Sequence, residues 1–219
     1  MDFGRISRAL FALIWIVPFG FMYQRLFWLT FYCNATFESS VAATPSTPLA
    51  RLRSGDIVFL GSFKHVSQQL AGWSKSRYTH CGIVLRMPNG KLGMFQADPN
   101  EHKTKCLLCG SADGGVHVFE LEPYLDTADH VRVYRPPSPM TRSQLIAKAK
   151  WYCTRGIEFT FDPLLLLSSV FGWQFGFSRP ASRFCSQLVC EAYRLPFDPA
   201  CCTPGMLLDH VVQSQWERV

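Results

Sequence analysis

Five short apolar segments, each about as long as a β-strand, follow one another through the middle of the chain. Turn-forming residues separate them, and the Asn89-Gly90 pair between the second and third segments is a strong hairpin signal. The segments span residues 55–60, 80–85, 92–97, 116–121 and 131–134. Strands in such close succession predict a compact, mostly antiparallel sheet or partial barrel.

Two amphipathic helices are expected after the strands, which makes the predicted fold class α+β. Thr141 and Gln144 have the spacing of a capping box, and the apolar positions after them predict a helix that runs to about Thr154. The second helix has Ser182 as its candidate N-cap. Its buried face combines one cysteine with three apolar residues: Cys185, Leu188, Val189 and Ala192. The cysteine should therefore point towards the sheet.

A long apolar run opens the chain. Residues 9–33 are almost wholly apolar, and about 25 such residues suffice for a tilted membrane helix. The run is long and aromatic-rich and lacks a small-residue cleavage site, so we expect an uncleaved single-pass membrane anchor within residues 1–37. Because Arg25 is costly inside a bilayer, a half-embedded pair of interfacial helices is the alternative. Arginines on both sides of the run leave the membrane sidedness open.

The rest of the chain is expected to hold a linker and one folded domain. Residues 38–51 are rich in Ser, Thr and Pro and cannot bury much surface, which is typical of a linker. Residues 52–219 then form the domain, since a chain of 219 residues with 48% apolar content suffices for one well-packed core. The formal charge of +6 is spread along the chain, which argues against a nucleic-acid partner.

The length of the predicted hairpin loop decides which residues share a face with His80. Side chains alternate between the two faces of a strand, so the register matters. A two-residue loop would place Gln96 opposite Ile83, on the wrong face. We expect instead an odd-length loop or a bulge, which brings Gln96 beside Val84 and onto the face of His80. Asp98 would then share that face.

An ordered set of motifs runs along the domain. Its members are Gly55-Asp56-Ile57-Val58, Thr79-His80-Cys81-Gly82-Ile83-Val84, Phe95-Gln96-Ala97, Phe161-Asp162, Phe184-Cys185-Ser186-Gln187-Leu188-Val189 and Pro204-Gly205-Met206-Leu207-Leu208. The set resembles the permuted papain-like amidase family, the YaeF/YiiX group of the NlpC-type cysteine peptidase superfamily. The resemblance covers about residues 52–210. It implies a circularly permuted papain-like α+β fold in which the helix that carries the cysteine packs on the sheet that carries the histidine.

The resemblance also implies a set of three catalytic residues. Cys185 falls on the family's nucleophile, His80 on its base and Gln96 on its third polar position, where this group often has a glutamate. Asp98 is the alternative third residue. Cys81, next to His80 on a strand, should point to the opposite face and be inert. The implied mechanism is acyl transfer through a Cys–His acyl-enzyme, and no cofactor is expected.

These features together predict a membrane-anchored cysteine hydrolase, an amidase or peptidase that cleaves an amide or peptide bond. The anchor and the apolar stretch 164–177 leave a lipid-directed acyltransferase, phospholipase or thioesterase as the alternative class. A catalytically inactive binding module on the same fold is a third class. The expected partners are the lipid bilayer and a peptide, amide or lipid-acyl substrate, without nucleic acid, and the protein is expected to be a monomer.

Four potential metal ligands lie in and after the polar segment that follows the third strand. His102, Cys106, Cys109 and His117 have spacings that could supply a tetrahedral site. A single Cys-x-x-Cys motif is weak support, and a surface disulfide or plain thiols are the alternatives. We therefore assign no metal from the sequence.

Overall fold

The computed structural model of the chain describes residues 49–62, 71, 76–159, 182–196, 198–199 and 202–219. The predicted membrane anchor, most of the predicted linker and the apolar stretch 164–177 lie outside these residues, as does the Phe161-Asp162 motif. Within the described ranges, no helix is long and apolar enough to cross a bilayer.

A six-stranded antiparallel sheet forms the centre of the domain. Its strands are β1 (Ile57–Gly61), β2 (His80–Arg86), β3 (Leu92–Asp98), β4 (Gly115–Glu120), β5 (His130–Arg135) and β8 (Glu217–Arg218). The two remaining strands, β6 (Glu158–Phe159) and β7 (Ser182–Arg183), form a separate parallel pair. Their order in the sheet is β4-β3-β2-β1-β5-β8. The first five strands are the predicted ones, with ends shifted by at most two residues, and the antiparallel arrangement is confirmed.

The hairpin of β2 and β3 has the odd-length loop that the sequence predicts. The loop comprises the five residues 87–91, and Gly90 adopts the positive φ of 85° that a side chain would disfavour. Ile83 pairs with Phe95, so continuing the register places Gln96 opposite Gly82. The prediction that Gln96 lies beside Val84 is therefore wrong by two residues along β2. A shift of two keeps the same face, however, so Gln96 shares the face of His80.

In the described residues, four α-helices accompany the sheet. They are α1 (Glu122–Thr127), α2 (Arg142–Thr154), α3 (Cys185–Tyr193) and α4 (Pro204–Gln213). The predicted capping box of α2 is present, with Thr141 and Gln144 each accepting a hydrogen bond from the other's backbone N–H. The prediction of Ser182 as the N-cap of α3 is wrong. Phe184 occupies the N-cap, because Ser182 is drawn into the short strand pair of β6 and β7.

The sheet separates two apolar layers. One layer contains Ile83 and Phe95 and packs against α3 and α2. The other contains the alternate strand residues Val84 and Met94 and packs against Tyr124 of α1. Since both faces of the central strands are covered, these strands are continuous apolar runs in the sequence.

A buried ion pair fastens the start of β1 to the end of β5. Asp56 is fully buried, and its carboxylate accepts hydrogen bonds from Arg135 Nε at 2.8 Å and Nη2 at 3.0 Å. The backbone N–H of Arg53 also donates to this carboxylate, at 2.8 Å. Asp56 therefore orients the turn that leads into the sheet.

Replacing Arg135 by alanine should destabilise the domain by about 3–5 kcal/mol, because the Asp56 carboxylate would stay buried without its partner. The matched control is Lys91→Ala, which removes the more exposed Lys91–Glu120 pair at 3.1 Å. That loss should cost no more than about 1 kcal/mol. Chemical unfolding of both variants measures the difference, and equal losses would contradict the role of the buried pair.

Candidate active site

Cys185 is the first residue of α3 and lies against the sheet, with 6% of its surface exposed. Phe184 at the N-cap makes no side-chain hydrogen bond to the helix. The first backbone N–H groups of an α-helix have no partner within the helix, and the helix dipole is positive at this end. The position of Cys185 therefore favours an anionic sulfur.

His80 is the first residue of β2, and its ring is held by a hydrogen bond. Its Nε2 lies 2.6 Å from Oε1 of Gln96. Since an amide oxygen can only accept, Nε2 carries the proton, and Nδ1 is the ring nitrogen left to serve Cys185. The ring also lies nearly parallel to that of Tyr124, with an interplanar angle of 15° and a centroid separation of 6.4 Å.

Gln96 reaches His80 because the residue opposite it in the sheet has no side chain. A Cβ atom on Gly82 would lie 3.1 Å from Gln96 Cβ and 2.7 Å from Met94 Cγ, closer than such carbons pack. Glycine at this position leaves the space that the fully buried Gln96 occupies.

Asp98 adds a negative charge near the same ring nitrogen. Its Oδ2 lies 3.8 Å from His80 Nε2, too far for a hydrogen bond but close enough for charge attraction. The other oxygen accepts hydrogen bonds from the Tyr124 hydroxyl at 3.0 Å and from the Asn100 N–H at 2.6 Å. Of the two candidates for the third residue, Gln96 therefore makes the direct contact and Asp98 supplies the charge.

Cys185 and His80 stabilise each other's charged form. Burial alone would lower the pKa of His80. The neighbouring Cys185 thiolate opposes this by charge and hydrogen bonding and, with help from Asp98 and Gln96, raises that pKa to about 9. Conversely, a hydrogen bond from Cys81 comes first among the causes that hold the pKa of Cys185 well below its ordinary value, and the charge of His80 adds to it against burial. The two shifts therefore both favour the thiolate–imidazolium form of the pair.

Cys81 points to the face opposite His80, as the sequence predicts, and lies in the same apolar cluster as Cys185. Alternation along β2 does turn its side chain away from His80, but α3 packs on that face and brings Cys185 to it. Burial, followed by the neighbouring Cys185 thiolate, raises the pKa of Cys81 well above its ordinary value. The Cys81 thiol thus keeps its proton near neutral pH and is a poor nucleophile.

The candidate metal ligands of the sequence are only partly brought together. Cys106, Cys109 and His117 converge, and the fourth member of their cluster is Cys153 of α2. His102 lies elsewhere, in edge-to-face contact with the ring of Tyr124. No local spacing could have indicated Cys153, because it follows His117 by more than 30 residues and reaches the cluster only through the packing of α2.

A thiolate at a helix N-terminus, beside an imidazolium whose other nitrogen is held by an amide, is the arrangement of a cysteine hydrolase. Residues 51–218 match the family described as permuted papain-like amidase enzyme, YaeF/YiiX, C92 family, and the chain belongs to this family. The match spans all the described strands and helices that carry the site.

Among solved structures, the chain is similar to one described as metalloprotein yiiX from Escherichia coli O157:H7, DUF1105. The two are 21% identical, and the alignment covers 65% of this chain and 64% of that chain with a TM-score of 0.43. The chain thus spans less than two thirds of that structure. No curated protein matches the sequence.

Replacing Cys81 by alanine should raise the pKa of Cys185, because the thiolate loses the hydrogen bond that does most to stabilise it. Alkylation of Cys185 at pH 6 should slow by about tenfold, the effect of losing roughly one hydrogen bond to a charged group. Mass spectrometry of the alkylated Cys185 peptide measures the rate. The control is Cys190→Ala. It replaces a buried cysteine of the same helix and should leave the alkylation rate of Cys185 unchanged. A rate in Cys81→Ala equal to that of the control would contradict the assignment.

Proposed function

We propose that the domain is a cysteine amidase or peptidase in which Cys185 is the nucleophile, His80 the general base and acid, and Gln96 the residue that orients the histidine. The observation that carries this proposal is a cysteine at the first position of α3 together with a histidine whose Nε2 is held 2.6 Å from Gln96 Oε1. The opposite pKa shifts of Cys185 and His80 support it. Such a pair supplies a nucleophile that is already ionised and a proton for the leaving group.

Acylation begins when the Cys185 sulfur attacks the carbonyl carbon of the substrate, forming a C–S bond and moving the carbonyl electrons to oxygen. Backbone N–H groups in the first turn of α3 stabilise this oxyanion by hydrogen bonding. The C–N bond then breaks as His80 passes its Nδ1 proton to the leaving amine. The product on the protein is a thioester of Cys185.

Deacylation reverses the role of the histidine. Neutral His80 takes a proton from water at Nδ1, and the hydroxide equivalent attacks the thioester carbonyl. Collapse of this second tetrahedral intermediate breaks the C–S bond and releases the acid. Cys185 returns to its thiolate form beside a protonated His80.

In many sites of this kind one carboxylate both orients the histidine and stabilises its positive charge, whereas here Gln96 and Asp98 each perform one of these roles. The amide of Gln96 fixes the ring orientation and the tautomer of His80 through one hydrogen bond. It cannot stabilise the imidazolium by charge, and the carboxylate of Asp98 at 3.8 Å does so instead. Burial and the adjacent Asp98 raise the pKa of Tyr124, so its hydroxyl stays protonated and keeps this carboxylate in place.

Membrane anchoring through residues 1–37 is part of the proposal and is supported by the long apolar run at the start of the chain. The lipid-directed alternative depends on that run and on the stretch 164–177, both outside the described residues. The described site contains the elements of acyl transfer, and the description of the family as an amidase supports an amide or peptide substrate.

Turnover of acyl-peptide amides by the full-length chain tests this function. Cys185→Ala should lower kcat/KM by about 10³-fold or more, because the covalent step is lost. Intact-mass analysis should detect an acyl group on wild-type Cys185. The control is Cys190→Ala, which alters a buried thiol of the same helix and should preserve activity.

Matched amide and ester substrates with the same acyl group separate the two substrate classes. Turnover of short-chain amides supports the proposal. Turnover of lipid esters without any amide cleavage would replace it by the lipid-directed alternative. Full activity of Cys185→Ala would overturn the nucleophile assignment.

A further inference from the structure

Three thiols and one imidazole converge beside β4, at the edge of the sheet. Cys106 and Cys109 come from the loop between β3 and β4, His117 from β4 itself and Cys153 from the last turn of α2. One ligand atom from each of the four residues lies within 4.8 Å of every other. Three separate segments of the chain therefore direct metal-binding side chains at one point.

The spacing of these atoms is that of a tetrahedral metal site. Zinc–sulfur bonds of about 2.3 Å and zinc–nitrogen bonds of about 2.0 Å place two sulfurs about 3.8 Å apart, and a sulfur and a nitrogen about 3.5 Å apart. Cys106 Sγ and Cys153 Sγ are 3.9 Å apart. His117 Nδ1 lies 3.6 Å from Cys109 Sγ and 3.7 Å from Cys153 Sγ.

The local turn around the first two cysteines is built to present both sulfurs to one side. Gly110 N–H donates to Cys106 O at 2.9 Å, and Cys106 N–H donates to Ser111 O at 2.7 Å. Gly110 has a positive φ of 75°, which turns the chain sharply after Cys109. The N–H of Leu108 points at Cys106 Sγ, at 3.5 Å, and would stabilise a thiolate there.

Neither a disulfide nor hydrogen-bonded thiols explain the cluster as well. The three cysteines are free, and the 3.9 Å between Cys106 Sγ and Cys153 Sγ is far beyond an S–S bond of about 2.05 Å. Two thiols face His117 Nδ1, yet an imidazole nitrogen has only one lone pair to accept a hydrogen bond. A single cation between the four atoms satisfies all of them together.

We propose that Cys106, Cys109, His117 and Cys153 bind one structural zinc ion. Three thiolates and an imidazole are soft and borderline ligands that select zinc over magnesium or calcium. Four protein ligands close the coordination shell, which is typical of a structural rather than a catalytic zinc. Cys109 is exposed and gives the ion a path to solvent, while Cys106 and His117 are buried. The site does not depend on the proposed acyl-transfer function.

The ion would fasten the β3–β4 loop and the end of α2 to an edge strand. β4 is the outermost strand at this end of the sheet, and edge strands need such protection. His117 pairs across the sheet with Gln96, the residue that holds His80. Zinc binding would therefore stabilise the strand next to the proposed active site without taking part in its chemistry.

Metal analysis of the full-length chain, purified in a thiol-preserving reductant without chelators, tests the site. We expect one zinc ion per chain. Replacement of zinc by Co²⁺ should produce the intense charge-transfer absorption of cobalt–thiolate bonds and the visible bands of tetrahedral coordination. Because the wild-type protein is used, this measurement does not depend on the folding of a variant.

Three substitutions separate this ligand set from the one that the sequence pattern indicated. Cys109→Ser, at the exposed ligand, and Cys153→Ser should each weaken zinc binding by at least about 100-fold, more than loss of an outer-shell partner usually costs. His102→Ala is the matched control, because His102 lies outside the cluster, and should retain one zinc ion with wild-type affinity. Circular dichroism checks the fold of each variant.

Three results would overturn the proposal. The first is wild-type protein that binds neither zinc nor cobalt when either is supplied in excess. The second is a Cys106–Cys109 disulfide in the peptide map of the protein as isolated. The third is zinc binding that survives Cys153→Ser but is lost in His102→Ala.

Discussion

His80, Gln96 and Asp98 share one face of the sheet because the hairpin of β2 and β3 pairs Ile83 with Phe95. Strand side chains alternate, so a slip of one residue would turn both polar side chains of β3 to the opposite face, away from the histidine. The apolar layers on either side of the sheet oppose such a slip, since it would also exchange the core residues of β3. The register of one hairpin thus sets the hydrogen bond of 2.6 Å on which the orientation of His80 depends.

The site is assembled from both faces of the sheet. His80 meets Gln96 and Asp98 on one face, whereas Cys81 points to the other face, where α3 presents Cys185. Cys185 and His80 thereby each have a second residue beside them, Cys81 on one face of the sheet and Asp98 on the other. The Cys81 thiol favours the thiolate, and the Asp98 carboxylate favours the imidazolium. Cys81 of β2 and Asp98 of β3 therefore act on opposite members of the same pair.

Much of the fold could be predicted because local patterns determine it. The apolar runs predicted five of the strands, and the Thr141–Gln144 spacing predicted the start of α2. β8 could not be predicted, since a two-residue exposed strand has no apolar period. Ser182 suits an N-cap by residue type, but pairing between β6 and β7 decides its place instead.

For the site, alternation along the strands indicated correctly that Gln96 and Asp98 share the face of His80. It also indicated the direction of Cys81, but not that the cysteine helix would pack on that face. The contribution of Cys153 to the thiol cluster depends on the packing of α2 against β4, a tertiary contact that no local spacing shows. Likewise, Tyr124 reaches Asp98 only because α1 covers the same layer.

The ion pair of Cys185 and His80 is the central claim, and an NMR titration of the His80 ring tests it most directly. A pKa of about 9 means that the imidazolium persists up to that pH and loses its proton as the pH rises through it. In Cys185→Ala the midpoint should fall, because burial then acts without the attraction of the thiolate. A midpoint near the ordinary histidine value of about 6.5 in both proteins would contradict the account.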